Sequence, residues 1–281
     1  MAAQEKQFQV KRMCGVLSVK RSGYYAWRKR LPSTREQANQ ALLKLIEEEY
    51  QRNRKTYGST RLHVVLRRKG VVCGHNRVAR LMRMHEIVAL TRRRHHPRTT
   101  QRQAGVIPAP NLLKQDFSAS APNQKWVSDF TYIETGEGWV YLAVVLDLFS
   151  RKVIGWSMSR RMDTALVETA LRMALLGRRP PAGMLHHSDQ GSQYTSAAYC
   201  SCLNAALAQL SMSGVGNCYD NAVMESFFAT LKTECVTGPF STCALARTTI
   251  FEYLEVWYNR QRLHSTLGYY SPVDFEQKLT L

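Results

Sequence analysis

Residues 125–159 read KWVSDFTYIETGEGWVYLAVVLDLFSRKVIGWSMS, and this segment carries the clearest structural signal in the chain. It is rich in aromatic and β-branched residues, which favour β-strands. Around the Gly136-Glu137-Gly138 turn, three strands are predicted, over residues 126–133, 139–148 and 152–159. The second strand is a nearly continuous apolar run, as expected for a buried strand. Strands at this hairpin spacing predict an antiparallel meander.

Helices and short strands alternate in the sequence that follows. A helix is predicted from Asp163 to Leu176, with Asp163 or Thr164 as its cap, and Pro180-Pro181 breaks the chain after it. The order of three strands, helix, strand, helix, strand and helix predicts a layered α/β domain. The later elements are expected at residues 184–188 (strand), 196–208 (helix), 210–212 (strand) and 220–235 (helix).

Three acidic residues lie where chemistry is expected. Asp129 is inside a strand with apolar neighbours, where a carboxylate is costly unless it is paired or bound to a metal. Asp189 ends a strand, which places it at the edge of the sheet. Glu225 lies beside the apolar stripe of the last helix, with Lys232 two turns later on the same face. Carboxylates from two strands and a helix suit Mg²⁺ or Mn²⁺. Three further acids are interpreted as turn or cap residues: Asp147, Asp163 and Asp220.

The composition excludes several classes of protein. The 281 residues are 44% hydrophobic and 21% charged, which excludes a disordered or collagen-like chain. No apolar run approaches the roughly 18–20 residues of a membrane span, and residues 1–8 do not resemble a secretory signal. The seven cysteines include no C-x-x-C pair, and the adjacent His186 and His187 would point to opposite faces of a strand. We therefore expect no zinc site, no disulfide framework and a soluble intracellular protein in a reducing cytosol.

The positive charge of the chain is confined to its N-terminal part. Residues 1–120 hold 26 basic and 7 acidic side chains, whereas residues 121–281 hold 13 basic and 14 acidic ones. The overall charge of +18 therefore belongs to the first 120 residues. This asymmetry indicates a front end that binds a polyanion, joined to a body with another task.

Helices are predicted throughout this basic front end. Residues 10–30 fit two short helices around a tight turn, either a helix-turn-helix or an ordinary helical hairpin. Residues 40–90 predict a helix bearing Leu42 and Ile46, a second helix capped by Thr60, and a third from Arg77 to Met84. Because basic side chains neutralise phosphates, nucleic-acid binding is favoured over a merely solubilising surface. The arginines expected to face phosphate are Arg77, Arg80 and Arg83.

Four motifs of the chain resemble those of the DDE transposase and retroviral integrase superfamily, and most closely the OrfB product of the IS3 insertion-sequence family. The basic front end, with Tyr57-Gly58 and residues 75–78, also resembles the N-terminus of that product, so the likeness spans nearly the whole chain. Asp189 and Glu225 are separated by 35 residues, which matches the family spacing. The motifs are WVSDFTY (126–132), HSDQGSQY (187–194), DNAVMESFF (220–228) and YNRQRLHSTLGY (258–269).

The resemblance implies an RNase H-like catalytic core, preceded by a small all-α, helix-turn-helix-like DNA-binding region. It implies that Asp129, Asp189 and Glu225 hold two divalent cations, Mg²⁺ with Mn²⁺ as a substitute, and catalyse strand cleavage and strand transfer at the ends of an insertion sequence. Lys232 would contact a phosphate or base near the scissile bond. Three residues of the last motif would either position DNA or belong to the core: Asn259, Arg260 and His264.

The resemblance also implies partners and a location. Double-stranded DNA, as element ends and target, and at least a dimer in the synaptic complex are expected. Transposases of this family usually act as a fusion with an upstream frame (OrfA) that carries a leucine zipper, and no sustained heptad pattern precedes the motifs here. The chain is therefore expected either to recognise the element ends more weakly or to need an OrfA protein or fusion. The expected location is the bacterial cytoplasm, at the nucleoid. The alternatives are a DNA-binding regulator, an inactive partner subunit or element relic, and an RNase H-like nuclease that hydrolyses DNA without joining strands.

These observations together predict the domain organisation. A helix-turn-helix-like basic segment is expected over residues 1–38 and a helical DNA-binding domain over 39–95. A linker rich in Pro, Ser, Thr and Gln is expected over 96–122. The RNase H-like core is expected over 123–237, with a C-terminal helical extension over 238–281.

Overall fold

The structure is a computed structural model that describes residues 1–90, 109–214 and 218–278. Within these ranges, no helix is long and apolar enough to cross a membrane. The strands are β1 (Lys125–Thr135), β2 (Gly138–Asp147), β3 (Val153–Ser159), β4 (Leu185–Ser188) and β5 (Gln209–Met212). The α-helices are α1 (Val10–Val16), α2 (Arg21–Lys29), α3 (Thr34–Arg52), α4 (Ser59–Arg68), α5 (His75–Met84), α6 (Thr164–Arg178), α7 (Ala197–Ala205), α8 (Ala222–Glu234), α9 (Cys243–Glu252) and α10 (Pro272–Lys278).

The five strands form one mixed sheet in the order β3-β2-β1-β4-β5. The first three strands pair antiparallel, which confirms the predicted meander. Strand β4 then lies parallel to both β1 and β5, as helical crossovers between strands require. The predicted order of strands and helices is therefore confirmed, and it places β1 and β4 side by side in the middle of the sheet.

Helices cover both faces of the sheet. Helices α6 and α7 pack on one face around residues such as Trp126, Leu171 and Tyr199. Helix α6 approaches β3 so closely that a Cβ at Gly155 would collide with the carbonyl oxygen of Ala170. The opposite face packs against α8 and the C-terminal segment, with the predicted stripe of α8 fully in the core: Met224, Phe227, Phe228 and Leu231.

Two predicted helix caps have different outcomes. Asp163 is the N-cap of α6, and its Oδ1 accepts a hydrogen bond from the backbone N–H of Leu166 at 3.1 Å, as predicted. The cap predicted at Thr60 is wrong, because α4 begins at Ser59 with Gly58 as its N-cap. Thr60 therefore lies inside the first turn, where its hydroxyl is 3.4 Å from Nε2 of His75.

The N-terminal helices form two small units. Helices α1 and α2 make a hairpin in which Glu5 accepts hydrogen bonds from Tyr24 and Arg28, and this confirms two short helices. The next three helices, α3 to α5, bury a set of apolar residues that is not shared with α1 and α2 and that is continuous with the core on the α8 side of the sheet. That set includes Leu42, Ile46, Leu62, Leu66, Val78, Leu81 and Met82.

The unit of α3 to α5 docks on the C-terminal segment of the sheet domain. Tyr57 is fully buried there, and its hydroxyl accepts a hydrogen bond from the backbone N–H of Leu263 at 2.8 Å. Its ring lies 5.8 Å from that of Trp257. Arg54 forms a 2.6 Å ion pair with Glu252 at the margin. We call this contact, between residues 54–68 and 252–278, the seam.

Part of the predicted linker is packed on the sheet domain. Leu113 is buried, and the backbone N–H groups of Leu112 and Leu113 both donate to Oγ of Ser211 on β5. Residues 109–122 thus extend the sheet domain at its β5 edge, whereas residues 96–108 of that prediction lie outside the described residues. Asn111 also donates to the carboxylate of Asp220 at 2.9 Å.

Two acids interpreted as turn or cap residues have a larger role. Asp147 is completely buried and accepts hydrogen bonds from the backbone N–H of Asn123 and Phe149 and from the guanidinium of Arg178. Asp220 is also buried and holds the loop after β5 through the N–H of Gly214 at 2.9 Å. The interpretation was incomplete because a turn signal in the sequence does not show which distant donors will reach the carboxylate.

Candidate active site

The sheet places Asp129 and Asp189 next to each other. Strands β1 and β4 are parallel, and their register pairs Lys125 with Leu185 and Val127 with His187. The same offset, carried two residues further, brings Asp129 level with Asp189, which directly follows β4. The sequence prediction that these two carboxylates lie together at the sheet follows from this pairing of strands that are far apart in the chain.

Asp129 is a carboxylate in an unfavourable environment. Burial raises its pKa well above the usual range, and the negative charges of Asp189 and Glu225 raise it further. Two hydrogen bonds oppose this effect, one from the backbone N–H of Phe130 at 2.8 Å and one from Nδ2 of Asn221 at 3.1 Å. Within the described residues, no Lys or Arg forms an ion pair with Asp129. A buried carboxylate beside like charges is typical of functional sites, which makes Asp129 a candidate site residue.

Asp189 and Glu225 differ in how their side chains are held: Asp189 is hydrogen-bonded within a turn, whereas Glu225 is exposed on a helix. Asp189 Oδ1 accepts the backbone N–H of Gly191 at 3.0 Å, in the turn after β4. A Cβ at Gly191 would come within 3.0 Å of that same oxygen, so the turn requires a glycine close to the carboxylate. Glu225 lies exposed in the first turn of α8, where the helix dipole favours a negative charge.

The three carboxylates do not form a finished metal site. Among the described residues, no three His, Cys, Asp or Glu side chains are close enough together to hold an ion. Asp129 instead bonds to Asn221, and Asp189 bonds to Gly191. The donor chemistry nevertheless fits a hard divalent cation, since all the groups are carboxylate oxygens and their mutual repulsion raises the pKa of Asp129. Convergence of all three carboxylates thus stays a prediction.

Three residues beside the carboxylates were not singled out from the sequence. Each has a buried polar atom without a hydrogen-bond partner in the described structure: Oε1 of Gln190, the hydroxyl of Tyr194 and Oδ1 of Asn221. Burial raises the pKa of Tyr194, and the nearby charges of Asp129 and Asp189 contribute to that rise. All three lie within the motifs quoted above, so motif membership was the available signal. Buried polar atoms of this kind are costly unless a water, an ion or another ligand completes their bonding.

Lys232 lies on the side of Asp129, as expected from its place on α8. Its Nζ is 4.7 Å from the centre of the Tyr132 ring. Burial lowers the pKa of Lys232, and the charge of Asp129 acts in the opposite direction. Lys232 is therefore a cation that interacts electrostatically with Asp129, although its contact with DNA stays a prediction.

The last motif mainly builds the core. Asn259 is buried, and its carboxamide both accepts from and donates to the backbone of Val153 on β3, at 2.9 Å each. His264 is buried too, with its ring 4.9 Å from that of Tyr258. For these two residues the structure supports the core role rather than the DNA contact. Arg260 is exposed, and its Nε donates to the carbonyl of Glu255 at 3.2 Å.

The arginines predicted to face phosphate on α5 differ from one another. Arg80 and Arg83 are exposed, in agreement with an outward-facing surface. Arg77 is half-buried, and its Nε donates to Oδ1 of Asn39 on α3 at 2.8 Å. Arg77 is therefore partly committed to packing α5 on α3, which the helical period could not show.

The neighbouring histidines contact different hydroxyl groups. His186 contacts the hydroxyls of Ser128 and Tyr199, whereas His187 contacts those of Ser211 and Ser213. Burial lowers the pKa of His186 to about 3 and that of His187 to about 4, so both are neutral at pH 7. The six cysteines whose side chains the structure describes form no disulfide.

A mixed five-stranded sheet with aspartates on two adjacent strands and a glutamate on a following helix defines an integrase-type core with an RNase H-like fold. Comparison with known proteins agrees. The family model described as "Integrase core domain" matches residues 119–218, a second model with the same description matches 225–279, and an "HTH-like domain" matches 37–95. The chain is 45% identical to the transposase InsF for insertion sequence IS3A of Escherichia coli (strain K12), over 98% of this chain and 96% of that protein. The chain belongs to the IS3 family of transposases and is a transposase of the polynucleotidyl transferase type.

A second relative and two solved structures are also similar. An uncharacterized 31 kDa protein of insertion element IS600 from Shigella sonnei is 44% identical over 95% of this chain and 98% of its own. An intasome of simian T-cell lymphotropic virus in complex with a PP2A regulatory subunit gives a TM-score of 0.49 at 14% identity, covering 78% of this chain and 70% of that chain. The HTLV-2 integrase catalytic core domain in complex with magnesium gives 0.42 at 16% identity, covering 57% and 99%.

Proposed function

We propose that this transposase cleaves a DNA strand at the end of its insertion sequence and then joins the new end to a target strand. In the first step, water attacks a phosphodiester, the P–O3′ bond breaks and a 3′-hydroxyl is released. In the second step, that hydroxyl attacks a phosphodiester of the target and displaces the target's own 3′-oxygen. In the joining step one phosphodiester bond forms as another breaks, so no energy-rich cofactor is needed.

The observation that carries this proposal is the position of Asp129 beside Asp189. These residues, with Glu225, would hold two divalent cations, Mg²⁺ or Mn²⁺, which stabilise charge on the attacking and leaving oxygens. Asn221 fixes one carboxylate oxygen of Asp129 at 3.1 Å and thereby sets the direction of the other. Lys232 supplies a positive charge on the same side, suited to a phosphate of the bound strand.

We also propose the partners that this reaction needs. The HTH-like region of residues 37–95 would bind double-stranded DNA through exposed arginines such as Arg80 and Arg83. Two element ends must be held together for transposition, so at least a dimer would form on DNA. An OrfA protein or fusion would add recognition of the ends. Such a protein would work in the bacterial cytoplasm, at the nucleoid.

A plasmid assay tests the chemistry. The purified chain is incubated with supercoiled plasmid and Mn²⁺, and nicked and joined products are measured for wild type, Asp189→Asn and Asp163→Asn. We expect Asp189→Asn to lose about 10³-fold or more of the activity, on the scale seen when essential catalytic groups are removed. Asp163→Asn is the matched control, because Asn caps a helix as well as Asp does.

Strand joining separates this proposal from a nuclease, which would stop at nicked products. Equal background in all three proteins calls for the same comparison with the upstream frame fused to the chain. If the fusion also shows no difference between wild type and Asp189→Asn, the catalytic proposal is wrong, and a DNA-binding regulator or inactive subunit is the better reading.

A further inference from the structure

Four cations surround the seam without an acidic partner. They are Arg61 and Arg68 on α4, Arg151 between β2 and β3, and Lys278 on α10. Within the described residues none of them forms an ion pair, whereas nearby Arg54 and Arg262 are paired with Glu252 and Glu234. The seam therefore carries cations that no described carboxylate pairs with directly, although the charge of Glu234 acts on Arg61.

Aromatic rings hold three of these cations in place. The guanidinium carbon of Arg61 lies 5.5 Å from the centre of the Tyr57 ring. Arg68 and Lys278 lie 4.8 Å and 4.7 Å from the centre of the Tyr270 ring. A cation over a ring face is fixed in position while most of its N–H donors stay available to another group. These side chains are therefore already ordered for an anion.

The fourth cation, Arg151, belongs to the same positive region. Its guanidinium is half-buried and acts on His264, a buried residue whose ring lies 4.9 Å from that of Tyr258. Burial lowers the pKa of His264 well below the usual range, and the charges of Arg262, Arg61 and Arg151 lower it further. Nε2 of His264 is buried and has no hydrogen-bond partner in the described structure. Arg61 and Arg151 are themselves half-buried, which makes uncompensated charge there costly.

We propose that the seam binds the phosphodiester backbone of duplex DNA through Arg61, Arg68, Arg151 and Lys278. Arg61 and Arg68 are seven residues apart on α4, so they share one face about two turns, or roughly 10 Å, apart. Cations spread along a helix suit successive phosphates of a strand better than one small anion. A strand bound here touches both the helical unit and the sheet domain, so it would connect DNA recognition to the catalytic core.

The test measures DNA binding by the full chain as a function of salt. A fluorescent duplex of unrelated sequence is titrated in EDTA, where no cleavage takes place, and the slope of log K against log[salt] is determined. Each phosphate contact contributes about 0.9 to this slope for duplex DNA. We expect the double variant R61Q/R68Q to lower the slope by about 2, equally for different sequences. The control Arg172→Gln removes an exposed, ion-paired arginine of α6 and is expected to leave the slope unchanged.

Two further measurements keep the result interpretable. The charge-conserving R61K/R68K is expected to retain most of the slope, and thermal melting checks that each variant is folded. Inorganic phosphate is added separately to wild type: stabilisation by phosphate together with an unchanged DNA slope in R61Q/R68Q would assign the site to a small anion and overturn the proposal.

An unchanged slope in folded R61Q/R68Q without any phosphate effect overturns it as well. The proposal rests on DNA binding by this transposase and is independent of its catalysis. A wild-type chain that binds no DNA at all also overturns this proposal, whereas the proposed catalysis is then decided by the plasmid assay with the fused upstream frame.

Discussion

Asp129 on β1 and Asp147 on β2 are carboxylates of the same sheet in opposite surroundings. Asp147 faces the guanidinium of Arg178 at 3.1 Å and two backbone N–H groups. Asp129 faces the negative charges of Asp189 and Glu225. Burial raises the pKa of both, but a fixed cation offsets the cost only at Asp147. The protein itself neutralises Asp147, which therefore serves the fold, whereas Asp129 is left beside like charges, as we expect of a carboxylate that binds a ligand.

The largest expected effect on stability concerns Arg178, the cation that neutralises Asp147. Arg178 also donates two hydrogen bonds to Glu276 of α10, so it joins β2, α6 and α10. Arg178→Gln leaves the buried Asp147 without its cation and leaves Glu276 with Lys152 as its cation, and we expect a loss of about 3–5 kcal/mol in the free energy of unfolding. Urea unfolding measures this loss. Arg172→Gln, on the exposed side of α6, is the control, with an expected loss of under about 1 kcal/mol. Similar losses in both variants would remove the distinction drawn for Asp147.

The second prediction concerns Asp129, where substitution is expected to raise the free energy of unfolding. A carboxyl whose pKa is raised by folding keeps its proton to higher pH in the folded state than in the unfolded one, so its ionisation destabilises the protein as pH rises. Asp129→Asn removes this penalty, and we expect a gain of roughly 1–4 kcal/mol at pH 7.5 in EDTA. The difference in the free energy of unfolding between Asp129→Asn and wild type should shrink as pH falls toward the ordinary aspartate pKa near 4.

Thermal melts of wild type and Asp129→Asn at several pH values check this sign. Added Mn²⁺ should stabilise wild type more than the variant, because a ligand stabilises only the state that binds it. A variant that is less stable than wild type at every pH would show that Asp129 serves the fold, as Asp147 does.

The smallest effect concerns His186 on β4, a buried group kept neutral by the fold. Its pKa is lowered to about 3, so between that pH and about 6.5 the unfolded chain binds one proton more than the folded one. The corresponding stability is present above pH 6.5 and is lost as pH falls, by up to about 1.4 kcal/mol per pH unit. His186→Gln should reduce this slope in urea unfolding between pH 4.5 and 7. Equal slopes would show that His186 does not titrate on unfolding in this window.

The sequence predicted the elements better than the contacts between them. Aromatic and β-branched content located β1 to β3, and the stripe of α8 identified its buried face, because periodicity reports which side of a helix is covered. It could not report what covers it. The bond between Asn221 and Asp129 joins residues 92 positions apart, and the burial of Tyr57 depends on Leu263, 206 positions away. Residue type alone likewise left Asn259 open between DNA and the core.

The carboxamide of Asn259 has a consequence for how the protein is made. β3 is an edge strand, and this side chain occupies the N–H and the carbonyl of Val153 there, as a neighbouring strand would. Asn259, which shields this edge, lies 106 positions after Val153, so it is synthesised long after the strand. We expect a chain that stops short of position 259 to expose the unpaired edge of β3, and therefore to be degraded or to aggregate. A damaged copy of the element would then yield a short-lived fragment rather than a lasting competitor for the DNA ends.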